Sequence, residues 1–410
     1  MKNDDVIENK NDYDCEEEED DDDEIEKAHL LNVLKSFQGY GLMQLRQVAK
    51  WEESYTHIAP DILNVLGTSL DDHIQKLKFA TGMNQQFLDF LIYPHLPKST
   101  SEPERVIPTE WNGGKVRSTL LQFMREWSKE GESERNQSFP LIFKAIDEYL
   151  PLSLQDTVND IHSSSSLTDS SKQDEGTYRP KILVPGAGLG RLCFDLAMRG
   201  YSVEGNEFSY FMLIGSNAVL NRMICAFSED ATDYEKKQDA GISEDQVGWK
   251  NWTIYPFIHN AANQVSWENM LRTVAIPDVH CTKFPDNWSL SMIAGEFLQV
   301  YLPQPESFDG IVTHFFIDTA NNITEYIRCI YSTLKKGGYW INYGPLLYHY
   351  TDIDGELSVE LPLGEVLKVA KYFGFEMLSH STHSSTYCAD HNSLMSTRYT
   401  SHFLVFRRPK

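Results

Sequence analysis

The stretch KILVPGAGLGRL, Lys181 to Leu192, sets Gly186, Gly188 and Gly190 between a short apolar run and a helix-type run. A turn of this kind lets backbone approach a ligand closely, and sites for dinucleotides and for adenosylmethionine both use one. The spacing separates them. A dinucleotide fingerprint is GxGxxG, but its sixth position here is Arg191 and the third glycine comes one place early, as GxGxG. No Gly-Lys-Ser/Thr follows the turn, which excludes a P-loop.

Glu207 ends the second strand-type run, 21 residues after Gly186. An acid there can accept hydrogen bonds from two ribose hydroxyls, which selects an adenosine without a 2′-phosphate. A third run ends in AGEF, where Glu296 can receive the adenine amino group and Phe297 can cover the ring. The loop LKKGG, Leu334 to Gly338, introduces a fifth strand. Singly these have bland readings, since a strand-end Glu is usually solvated and KKGG is a common turn. In this order and spacing they favour an adenosylmethionine-dependent methyltransferase of the Rossmann-like class, with the glycines serving close backbone approach more than anion binding.

The elements that must hold these residues follow from the apolar pattern. From Lys181 onward short β-type runs (KILV, YSVEGNE, SLSMIAGEF, FDGIVTHFFID, YWINYG) alternate with helix-length segments. That alternation implies right-handed crossovers and a doubly wound, mostly parallel sheet. FEMLSHSTHS and RYTSHFLVFRR follow one another without a helix between them and predict an antiparallel pair at one edge. Residues 27–150 repeat apolar residues every three or four positions and read as an N-terminal helical region. Residues 151–178, polar and rich in Ser and Asp, read as a linker or insertion, and 179–410 as the methyltransferase domain.

Charge is concentrated at one end. Of the formal −24, residues 1–26 supply −13, from fifteen acids and two lysines. The run CEEEEDDDDEIE repels itself and predicts a disordered tail. An acidic chain without basic clusters is a poor nucleic-acid binder. The N-terminus lacks the apolar core of a signal peptide, and no apolar run is long enough to span a bilayer, so no membrane role is expected. Six cysteines without a CxxC pair argue against a disulfide framework and a zinc site. The expectation is a cytoplasmic protein, or also a nuclear one, that uses no metal.

Longer stretches narrow the reading. ILVPGAGLGRL…GYSVEGNEFSYFMLIGSNAVLN, FFIDTANNITEYI…LKKGGYWINYGPLLYHY and the upstream STLLQFMREWSKEGESER together resemble the carnosine N-methyltransferase family, over most of residues 115–410. Members of that family methylate the imidazole of histidine-containing dipeptides, carnosine giving anserine. The resemblance implies that adenosylmethionine is held by Gly186 and Glu207, and by Gln122 and Arg125, which lie three apart on one helix face. Such an Arg can hold the methionine carboxylate. Glu296 stands where the family has Asp, followed by Phe297, and His314 stands where a Cys is familiar in animal members. For the dipeptide the matching positions are Asp318, His349 and Tyr399. Of these, Asp318 also reads as a helix N-cap ahead of NITEYI, and His349 as a satisfied loop histidine.

The implied chemistry needs little acid–base power, because an imidazole with a pKa of about 6.5 is mostly neutral at pH 7 and already carries a lone pair. Asp318 accepting one ring N–H would leave the other nitrogen as nucleophile, with His349 sharing that role or holding the dipeptide backbone and Tyr399 forming a wall. Two rival readings are a methyltransferase for protein histidine or another small metabolite, and a catalytically silent adenosylmethionine-binding scaffold. The N-terminal helices are expected either to cap the active site or to form a homodimer.

Overall fold

In the computed structural model, residues 14–67, 69–96, 111–152, 178–223, 252–279, 281 and 289–410 are described, with side chains from residue 24 onward. The Ser-rich stretch and the first half of the acidic tail lie outside them. The chain divides into two compact units, 1–118 and 119–410.

The first unit is helical: α1 (Asp14–Tyr55), α2 (Pro60–Leu66) and α3 (Ser69–Ile92), with the start of α4 (Gly113–Trp127). Val33, Phe37, Tyr40, Leu77, Leu88 and Leu91 are buried at the spacing of one helix face. Polar groups join α1 to α3 within this core. Gln85 Oε1 accepts the Gly41 amide at 2.6 Å and Asn84 Nδ2 donates to Tyr40 Oη at 3.0 Å. Helix α1 starts at Asp14, inside the stretch expected to be disordered.

The second unit begins within α4. The reason lies in packing. After α5 (Glu132–Arg135), helix α6 (Phe139–Tyr149) places Phe139, Ile142 and Ile146 in the same apolar cluster as the strands. The remaining elements are β1 (Lys181–Pro185), α7 (Arg191–Met198), β2 (Ser202–Glu207), α8 (Tyr210–Asn217), β3 (Trp252–Ile254), α9 (Trp267–Met270), β4 (Val274–Ile276), β5 (Ser289–Ala294), α10 (Phe297–Tyr301), β6 (Phe308–His314), α11 (Ile323–Thr333), β7 (Leu334–Gly344), α12 (Leu363–Phe373), β8 (Glu376–Ser385) and β9 (Tyr399–Arg407). Strands β3 and β4 form a separate antiparallel hairpin that the apolar pattern does not announce.

The seven-stranded sheet has the order β5-β2-β1-β6-β7-β9-β8, parallel except at β9, which runs antiparallel to both neighbours. This is the α/β class I methyltransferase arrangement, with the expected antiparallel C-terminal edge. Alternation along the strands builds two cores. Ile182, Val184, Val312, Ile341 and Val405 face α6 and α7, while Leu183, Ile311, Trp340, Leu404 and Phe406 face α10, α11 and α12. The direction of winding reverses between β1 and β6, and ligands of open α/β sheets bind outside the strand ends at such a point. Gly186 and Phe315 follow those two strands directly. Among the described residues no helix is long and apolar enough to cross a membrane.

Candidate functional site

All three turn glycines take left-handed backbone, at φ +65° for Gly186, +58° for Gly188 and +84° for Gly190. A Cβ on Gly186 would stand 2.4 Å from Phe316 Cδ2, on Gly188 2.7 Å from Glu126 Oε1, and on Gly190 3.1 Å from Leu220 Cδ1. The protein's own packing therefore demands the glycines, beside any close approach of a ligand.

Glu207, at the end of β2, is oriented by three amides. Gly188 donates to Oε2 at 2.8 Å, and Phe208 and Ser209 donate to Oε1 at 2.9 Å each. Hydrogen bonds of this kind fix the carboxylate beside the turn. At the tip of β5, Gly295 donates to the Glu207 carbonyl at 3.1 Å and Asn206 Nδ2 donates to the Gly295 carbonyl at 2.9 Å, so the ribose and adenine ends of the expected site are tied together.

The adenine end differs from expectation. Glu296 is the N-cap of α10, its Oε2 accepting the Gln299 amide at 2.8 Å. Phe297 is 2% exposed, its ring packed against Tyr301, Phe316 and Tyr326 at 5.1–5.6 Å between centroids. That ring points into the core. As the first residue of α10 it faces the apolar layer between the helix and the sheet.

Gln122 and Arg125 come together on α4 as their spacing requires, and both are buried, which rules out the solvated arginine of an ordinary amphipathic helix. Arg125 stacks over Tyr387 at 4.5 Å and Phe315 at 5.7 Å, with Nε 3.4 Å from Glu134 Oε2. Gln122 Nε2 donates to Tyr387 Oη. Gln122 retains a buried Oε1 without a hydrogen-bond partner. Buried polar atoms are normally satisfied, so this end of α4 fits a polar ligand such as the amino-acid end of adenosylmethionine.

Sequence reasoning missed Glu126, Glu134 and Tyr387. Tyr387 sits on a segment clasped from below: Cys388 and Ala389 amides donate to the two Glu134 oxygens at 3.0 and 2.7 Å, and the Thr386 amide donates to Gln137 Oε1 at 2.8 Å. Glu126 follows Arg125 directly and was legible as an acid, but nothing in its spacing told which way it points. Tyr387 carried no local signal.

His314, at the end of β6, places Nε2 2.9 Å from Ser138 Oγ and packs against Phe139, Phe315 and Tyr343. Burial, with Arg125 nearby, pushes its pKa well below the usual imidazole value. The next residue, Phe315, adopts φ +53°, an unusual backbone for an aromatic residue.

Asp318 lies in a 3-10 turn, Ile317–Thr319, and is 2% exposed. It is not the helix cap: Asn322 caps α11, accepting the Thr324 amide at 3.0 Å. Asp318 Oδ2 accepts the Leu347 amide at 2.8 Å, and its carbonyl accepts the His349 amide at 3.0 Å. Burial raises its pKa, opposed by the Leu347 amide and by His349. His349 itself is exposed, held by Tyr348, whose backbone is left-handed at φ +52°. Tyr399 opens β9. Because Gly344 pairs with His402 and β9 runs backward, Tyr399 lies beyond the C-terminal end of β7, at the same end of the sheet as Asp318 and His349.

This arrangement offers a glycine turn with an oriented carboxylate, a buried polar pair, and a buried carboxylate joined to an exposed imidazole segment. The family model described as Carnosine N-methyltransferase matches residues 103–234 and 244–410. The chain is similar to the carnosine N-methyltransferase of Rattus norvegicus, 32% identical over 394 residues, covering 94% of this chain and 87% of that protein. It is 35% identical over 308 residues to the one from Schizosaccharomyces pombe, covering 72% and 71%, and 38% identical over 296 residues to "Carnosine N-methyltransferase unmet" of Drosophila melanogaster, covering 72% and 55%. With most of its length matched, the chain belongs to the carnosine N-methyltransferase family.

Proposed function

We propose that this protein is an adenosylmethionine-dependent N-methyltransferase that methylates the imidazole of carnosine, giving anserine, and of related histidine-containing dipeptides. The observation that carries the reading, beside family membership, is the buried Asp318 carboxylate at the sheet's switch point, joined through the backbone to His349.

When bound, adenosylmethionine supplies a methyl group on a sulfonium, a good leaving group. Gln122 and Arg125 would hold its amino-acid end, Gly186 would allow its close approach, and Glu207 would accept from the ribose hydroxyls. Glu296 and the backbone of His314 complete the wall. The chain's remaining task is to orient the dipeptide ring. Asp318 accepts the N–H of the ring nitrogen farther from the side chain, leaving the nearer nitrogen its lone pair, and stabilises the positive charge that develops on the ring. His349 and Tyr399 position the rest of the dipeptide.

A cytoplasmic or nuclear site of action belongs to the same proposal, since well-spaced cysteines suit a reducing compartment. Exposed Leu31 and Leu45 on α1 and Phe79 on α3 support a homodimer through these helices.

The test is incubation with labelled adenosylmethionine and carnosine, Gly-His, free histidine and carnosine with a blocked imidazole. Label is expected in the first two and absent from the blocked substrate. Labelling that survives the block overturns the nucleophile assignment.

A further inference from the structure

One acid beside the glycine turn has no task in the reaction outlined above. Glu126 is 6% exposed, accepts the Leu189 amide through Oε1 and the Arg191 amide through Oε2, both at 3.3 Å, and stands 2.7 Å from where a Cβ on Gly188 would lie. Those amides lead into α7, where phosphate-bearing cofactors usually place an anion. Here the protein's own carboxylate occupies that place. Glu207 holds the Gly188 amide at 2.8 Å, so one glycine is bracketed by two acids.

The charges around the turn do not cancel. Arg125 lies 3.9 Å from Glu126 Oε1 and 3.4 Å from Glu134 Oε2. The other two arginines nearby are matched elsewhere, Arg135 by Asp278 at 2.6 Å, and Arg191 by Asp278 at 2.6 Å and Asp195 at 2.9 Å. Among the described residues Glu126 and Glu134 thus share one cation, Arg125, in a setting where water screens weakly. Burial, with Glu207 nearby, raises the pKa of the Glu126 carboxyl, and Arg125 with the two amides offsets only part of that rise.

We propose that Glu126 is a specificity-determining residue that makes the site prefer the cationic methyl donor to its neutral thioether product. The proposal rests on the methyl-transfer reading. Donor and product share the adenosine and amino-acid groups that Glu207, Gln122 and Arg125 would hold, and they differ in the methyl group and in the positive charge on sulfur. Contacts to the shared groups retain both ligands. A fixed, poorly screened negative charge discriminates between them, and so limits inhibition by product.

The experiment is calorimetric titration of the full chain with adenosylmethionine and with S-adenosylhomocysteine, for the wild type, Glu126→Gln and Glu126→Asp. Glu126→Gln is nearly isosteric and uncharged, and is expected to lower the preference for the cation by about fivefold or more. Glu126→Asp keeps the charge and should keep the preference. Equal weakening of both ligands in Glu126→Gln, or the same loss of preference in Glu126→Asp, overturns the assignment. Circular dichroism checks the fold, and Glu126→Ala, read the same way, replaces Glu126→Gln if that variant does not fold. A wild type that binds neither ligand overturns the methyl-transfer reading itself.

Discussion

His349 hangs from Asp318 through the main chain: its amide donates to the Asp318 carbonyl at 3.0 Å, and two residues earlier the Leu347 amide donates to the Asp318 side chain at 2.8 Å. The loop after β7 is thereby fastened to the turn after β6. A buried carboxylate with one oxygen used structurally is well suited to hold a ring N–H in a single direction.

Asp318→Asn preserves an acceptor for the Leu347 amide and removes the charge. Turnover of carnosine is expected to fall by roughly a hundredfold or more, while adenosylmethionine affinity stays within about twofold. Single-turnover kinetics beside a binding titration separate the two. Equal loss of both would remove Asp318 from the role of ring acceptor.

Gly188→Ala places a methyl group 2.7 Å from Glu126 Oε1 on backbone at φ +58°. The expected destabilisation is about 1–3 kcal/mol, from strained backbone and displacement of a buried acid. Thermal melting in the absence of ligand measures it. An unchanged midpoint would show that the turn tolerates a side chain and that packing does not demand its glycine.

His314 makes stability depend on pH. Its folded-state pKa lies well below the ordinary 6.5, through burial first and Arg125 second. The unfolded chain therefore binds the proton more readily, and the stability present above that ordinary value is lost as pH falls from it toward the folded-state pKa, by at most about 1.4 kcal/mol per pH unit. His314→Cys should flatten the profile of melting temperature between about pH 7 and 5. Parallel profiles for variant and wild type would count against this account.

Features legible along the chain are local ones. Period-two apolar runs broken by helix-length segments predict the doubly wound sheet, and Gly186, Gly188 and Gly190 with Glu207 predict a phosphate-free nucleoside site, because strand alternation, turn glycines and strand-end acids are properties of neighbouring residues. The resemblance supplied Asp318, His349 and Tyr399, and the sheet gathers all three at one end. The direction in which side chains point came from the packing of the folded chain. That packing turned Phe297 into the core, gave Glu296 a helix to cap, set α6 in the unit of the sheet and brought Glu126 beneath Gly188. It also joined Gln122 to Tyr387 across 265 positions of chain. No periodicity spans that distance, since such a contact exists only once β8 and β9 have closed the edge of the sheet and carried their connecting loop back over α4.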